Sequence, residues 1–107
     1  MDLEIRKRDR VFLADGQKLG RAMNMIHPTA GFGTYPHHHF LLIVNHQTGR
    51  DYYIPTKYID QEASEEGEIM LTVNKWDFLR RDLMIKPPFV RTNNFEQTSL
   101  GDEPSLT

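Results

Sequence analysis

Residues 11–22 read V-F-L-A-D-G-Q-K-L-G-R-A, and this stretch decides the fold. Two short apolar-rich runs flank Asp15-Gly16, a dipeptide that accepts the positive φ angles of a tight hairpin turn. Gly20 falls four residues past the turn, inside the second strand. A glycine there marks a bulge or a place where another backbone passes close, as at the corner of a small barrel. The stretch therefore predicts strand, turn, strand and bend. Nothing in it specifies a reaction.

Toward the N-terminus, residues 1–9 are dense in charge of both signs and read as a solvated arm. Arg6, Lys7, Arg8 and Arg10 are interrupted by Asp9, so they make a mixed-charge surface rather than a phosphate patch. Toward the C-terminus the second strand runs on to His27 and is ended by Pro28, whose nitrogen cannot donate to a ladder. Residues 28–39, P-T-A-G-F-G-T-Y-P-H-H-H, have no apolar period and form a long loop, of the kind that is functional or mobile in a small domain. Its Phe32 and Tyr35 either await a partner or fold back over the core.

Residues 40–44 (F-L-L-I-V) predict a central strand covered on both faces, and residues 50–55 (R-D-Y-Y-I-P) its return partner. Five acids in residues 60–68 mark a solvated loop, after which Ile69, Leu71 and Val73 alternate inward. Asn74 is a good N-cap with Asp77 behind it. Trp76, Leu79 and Leu83 then predict one apolar stripe on a short helix. Beyond Pro87-Pro88 no period survives, so residues 87–107 are expected to be an irregular, extended tail that orders only against something else. The expected core is Val11, Leu19, Leu42, Val44, Ile54, Ile69, Leu71 and Trp76.

A chain of 107 residues makes one domain, here residues 10–86, between the arm and the tail. Thirteen basic against fifteen acidic residues give a net charge of −2, which does not favour nucleic acid as a partner. The absence of cysteine excludes disulfides, thiolate catalysis and cysteine-held zinc. No apolar run approaches a membrane span and residues 1–10 lack a signal-peptide core, so a cytoplasmic location is expected.

Catalytic chemistry finds little footing. Ser64, Ser99 and Ser105 sit in an acidic loop or the tail, and none lies on a strand-to-helix elbow. Glu62, Glu65, Glu66 and Glu68 crowd one loop, where nothing desolvates a carboxyl into a general acid. Gly31-Phe32-Gly33 is followed by Pro36 instead of a helix start, so it is no phosphate cradle. Arg80, Arg81, Lys86 and Arg91 form a basic strip, with Asp77 and Asp82 interleaved. Histidine is the remaining metal-ligating type, and His37-His38-His39 is its densest cluster. On an extended chain only His37 and His39 of that run converge; His27 can approach across the loop, whereas His46 lies roughly 20 Å from His39 along a strand. Without a fixed carboxylate partner this set predicts no metal site and no cofactor.

Taken together, Val11-Phe12, Asp15-Gly16, Leu19-Gly20, residues 40–44, Tyr53-Ile54-Pro55 and the strand–helix run 69–81 resemble a PRC-barrel-like domain. That small β-barrel occurs in the H subunit of photosynthetic reaction centres, in a small-subunit ribosome maturation factor and in short bacterial proteins. The resemblance covers about residues 10–83. It implies a mainly β fold, a five- to six-stranded barrel with one short C-terminal helix, and no catalytic residues. The expected function is a non-enzymatic assembly module that docks on a larger complex or on itself. Asp15, Gly16 and Gly20 are its structural residues; Phe32, Tyr35, His37, His38, His39, Phe89 and Phe95 are the candidate partner-binding residues. Two alternatives stand beside it: a small ligand- or metal-binding protein using loop 28–39, and an RNA- or ribosome-associated factor.

Overall fold

The computed structural model describes residues 5–28, 39–81, 83, 86–92 and 95–100. Among these, six strands form one sheet, so the fold is mainly β: β1 (Arg10–Phe12), β2 (Lys18–Pro28), β3 (Phe40–Asn45), β4 (Arg50–Pro55), β5 (Glu68–Met70) and β6 (Phe95–Ser99). A 3-10 turn (Thr56–Tyr58) and two short helices, α1 (Lys75–Arg80) and α2 (Pro88–Arg91), complete it. The strand order is β4-β3-β2-β1-β5, with β6 also on β2. All pairs are antiparallel except β1 with β5.

The Asp15-Gly16 turn forms as expected. Gly16 takes φ +90°, Leu13 N–H donates to the Gln17 carbonyl at 2.8 Å, and Asp15 Oδ1 accepts from Gln17 N at 3.0 Å. β2 then serves three neighbours. β3 runs along one edge, while β1 takes the first part of the other edge and β6 the last part. The pairing registers show two bulges, which bend a strand locally: Leu19 is skipped against β1, and Met23 against β3. Gly20 lies between the two bulges. A Cβ on it would stand 2.6 Å from the Val44 carbonyl oxygen and 3.0 Å from Ile43 Cγ2. The position needs glycine for space, not for a left-handed dihedral.

The strand order does not return from β5 to β4 among the described residues, so the sheet is open where a closed barrel was expected. Pro55 ends β4 and the 3-10 turn lifts the chain out of register. The gap is spanned by one isolated bridge, Ile59 with Leu71. Thr72 N–H donates to the Tyr58 carbonyl at 2.7 Å, and Asp60 N–H to that of Met70 at 2.8 Å.

The main core gathers Val11, Leu19, Ile54, Ile69 and Leu71 as expected, with Leu41, Ile43, Tyr52 and Phe78 among its other members. Three core expectations are corrected. Leu42 and Val44 are only half-buried, because period two on β3 sends Leu41 and Ile43 to this core. Trp76 is 73% exposed; α1 stops at Arg80, too soon for a stripe reaching Leu83, and its one buried residue is Phe78, set edge-on to Tyr52 with ring centres 5.5 Å apart.

Among the described residues, 5–9 and 95–100 also depart from the expected arm and tail. Ile5 packs against the main core, and Arg8, at φ 75°, donates its N–H to the Ala22 carbonyl at 2.6 Å. Asp9 is 8% exposed and its Oδ2 accepts from Arg6 N at 2.8 Å, so these residues form a bonded turn. At the other end, β6 pairs with β2 from Asn24↔Ser99 to Pro28↔Phe95. Val90 and Phe95 cover a second small cluster, Ile26 with Phe40, and Leu100 reaches the main core. The segment orders because β2 offers an open edge and these side chains cover apolar surface, which local periodicity does not reveal.

Two expectations follow. Gly20→Ala should lower stability by about 1–3 kcal/mol and Gly20→Val by more, since a backbone carbonyl cannot yield like a side chain; denaturant midpoints equal to wild type would refute the close approach. Removing residues 95–107 should lower the melting temperature of dilute protein by at least about 5 °C, because it uncovers Ile26 and Phe40. Unchanged melting would mean that β6 is not docked in solution.

Candidate functional site

Two places gather exposed chemistry. The first is α1. Asn74 caps it, accepting from Asp77 N at 2.9 Å, and Asp15 Oδ2 accepts from Lys75 N at 3.1 Å. The hairpin turn thus holds the helix by its first residue. With Phe78 turned inward, Trp76 and Leu79 (44% exposed) are left on the outer surface three residues apart. Lys75 and Arg80 lie one turn from Leu79 and Trp76 respectively, both exposed. Arg81 adds to the cationic rim, its guanidinium 5.7 Å over the Tyr58 ring. The result is an apolar spot edged by positive charge.

The second place is a cleft of about 620 Å³ lined by Ile5, Met25, His27, His39, Lys57 and Gln61 among others. It opens at the end of the main-core face, where β2 and β3 part. His39 lies one position beyond the Ile26↔Phe40 pair and so stands opposite His27. Their Nδ1 atoms are 2.7 Å apart with the rings nearly perpendicular, at 89°. His27 Nε2 lies 3.1 Å from Thr98 Oγ1 on β6. β2, β6 and the residue just before β3 thus meet in one polar chain, with β6 distant from the other two in sequence.

Of the expected partner-binding residues, His39 is exposed in this cleft, and Phe95 is half-buried against Ile26 and Phe40. Phe32, Tyr35, His37 and His38 lie outside the described residues, as does the side chain of Phe89. His46 is exposed in the β3–β4 turn. Sequence reasoning missed Trp76 and Leu79 as surface residues because it assigned the helix the wrong inward face. It missed Thr98 because no local pattern announces β6. Among the described residues no helix is long and apolar enough to cross a membrane, and no three His, Cys, Asp or Glu side chains converge as a metal-holding group.

Comparison with protein-family models, with curated proteins and with solved structures returned no match.

Asp15 positions the α1 face, and its carboxyl is held below its usual range, first by the Gln17 N–H and then by the Lys75 N–H. The sign follows directly. A carboxyl with a lowered folded-state pKa contributes stability above its unfolded value, near 3.8, and loses it as pH falls through the folded value. An NMR titration should place the Asp15 midpoint below 3.8. In Asp15→Asn, acid should destabilise the fold less steeply below that pH; equal slopes would remove Asp15 from the acid transition.

Proposed function

We propose that this chain is a cytoplasmic, non-catalytic interaction module of PRC-barrel-like character that docks through α1 onto the apolar, acid-rimmed surface of a protein partner. One observation carries the reading: the sole tryptophan is 73% exposed on a helix otherwise anchored at its N-terminus and inner face. Aromatics anchor interfaces because covering one removes a large apolar area, worth roughly 25 cal/mol per Å², at little rotamer cost. The rim of Lys75, Arg80 and Arg81 selects acidic neighbours and steers their approach. The overall charge of −2 weighs against nucleic acid as the partner. The Val11–Gly20 hairpin with its bulged second strand and the Asn74-capped helix after β5 support the PRC-barrel-like reading.

The test uses the chain purified from its own cells, wild type against Trp76→Ser and Leu79→Ser. Both variants should melt within about 0.5 kcal/mol of wild type, as exposed substitutions do. A protein partner should be recovered at least tenfold less with either variant, and its titration should shift Trp76 emission to the blue with saturation. Nuclease-sensitive recovery with a steep salt dependence would assign the face to RNA instead. Equal recovery with all three proteins would overturn the docking role of α1.

A further inference from the structure

We propose that His27 and His39 form a two-imidazole site for a divalent transition-metal ion of tetragonal preference, Cu²⁺ above all. The site stands apart from α1 and does not depend on the docking role given to that helix. Its basis is geometric. Two Nδ1 atoms 2.7 Å apart face each other across the ends of β2 and β3. Only one proton fits between them, so one ring presents a lone pair to the other's N–H in the metal-free protein.

The spacing discriminates among ions. Metal–nitrogen bonds of about 2.05 Å meeting at a right angle place the nitrogens about 2.9 Å apart; a tetrahedral angle places them about 3.3 Å apart. The observed spacing lies nearer the right-angled arrangement than the tetrahedral one, and in either case both rings turn so that Nδ1 lone pairs now aimed along the hydrogen bond converge on the ion. Right-angled imidazole donors suit Cu²⁺ and Ni²⁺ over Zn²⁺, and Cu²⁺ heads the affinity order for nitrogen ligands.

Entry of the ion leaves both Nδ1 lone pairs on the metal. The ring that carried the shared proton at Nδ1 holds one at Nε2 instead, so its Nδ1 lone pair is free for the metal and the pair's proton count is unchanged. His27 then carries Nε2–H and donates it to Thr98 Oγ1, already 3.1 Å away. An outer hydroxyl acceptor of this kind fixes ring orientation and tautomer in metal sites. The backbone beneath is also held, since Thr56 N–H donates to the His39 carbonyl at 3.1 Å. With no third ligand converging among the described residues, water fills the remaining positions and the site stays open to the cleft. Lys57 also lines the cleft, and its ammonium lies 5.0 Å from the Tyr58 ring centre.

Titration of the full chain with Cu²⁺, followed by calorimetry and electron paramagnetic resonance, tests this. One ion per chain should bind with two nitrogen donors, at least tenfold tighter than Zn²⁺. His27→Ala and His39→Ala should each weaken binding at least 100-fold, and Thr98→Val by about tenfold. His46→Ala should leave it unchanged. Cu²⁺ should also raise the melting temperature of wild type but not of the two alanine variants, each read against its own metal-free melting, so a variant that merely loosens the fold is recognised. Retention of the site in the His27→Ala, His39→Ala double variant would overturn the proposal. So would its loss in His37→Ala or His38→Ala with both other histidines intact.

Discussion

The Val44 carbonyl occupies the space where any residue other than glycine would carry its Cβ at position 20, and much of the molecule depends on that contact. β2 has three neighbours, β3 on one edge and β1 and β6 end to end on the other, and its ladders are bulged at Leu19 and Met23 on either side of Gly20. The strand brings Leu19 and Ala22 into the same core as Val11 and Ile43, and it leaves the far half of one edge open for β6. A side chain at position 20 would force β2 and β3 apart where the Val44 carbonyl faces Gly20. The loss would reach both sides of the strand at once.

α1 illustrates the same economy on a smaller scale. A helix of six residues is unstable by itself, since nucleation is unfavourable and few hydrogen bonds follow it. Here Asn74 and Asp15 satisfy its first N–H groups, and Phe78 against Tyr52 fixes its inner side. Those three contacts suffice. Trp76 is therefore not required by the core, and its exposure is a property of the fold rather than of a frayed end.

The first hairpin was legible in residues 11–22 because its information is local: a dipeptide suited to positive φ, and a glycine where the alternation breaks. The Asn74 cap was legible for the same reason. The side-chain face of α1 was not, since three apolar positions in 76–83 matched a helical stripe while the real helix ends at Arg80. Spacing arguments assume that a helix continues, and this one does not. β6 was invisible because its support is non-local: an open edge on β2 and an uncovered Ile26–Phe40 pair, about seventy residues away in sequence. Of the cleft, the approach of His27 to His39 across the loop followed from the strand pattern. Thr98 required the topology.

The histidine pair and the tail are not separate features. Thr98 pairs with Met25 in the ladder, one diagonal step from His27, whose ring it meets. On the opposite face of the same strands, Phe95 and Val90 cover Ile26 and Phe40, the neighbours of the two histidines. Any ligand that orders His27 and His39 therefore also favours a docked β6, through Thr98 on one face and through the fixed ends of β2 and β3 on the other. Linkage makes this reciprocal: what stabilises the docked tail tightens the histidine site by the same free energy. Through Thr98, the added strand β6 thus links the covered edge of β2 to the His27–His39 pair at the mouth of the cleft.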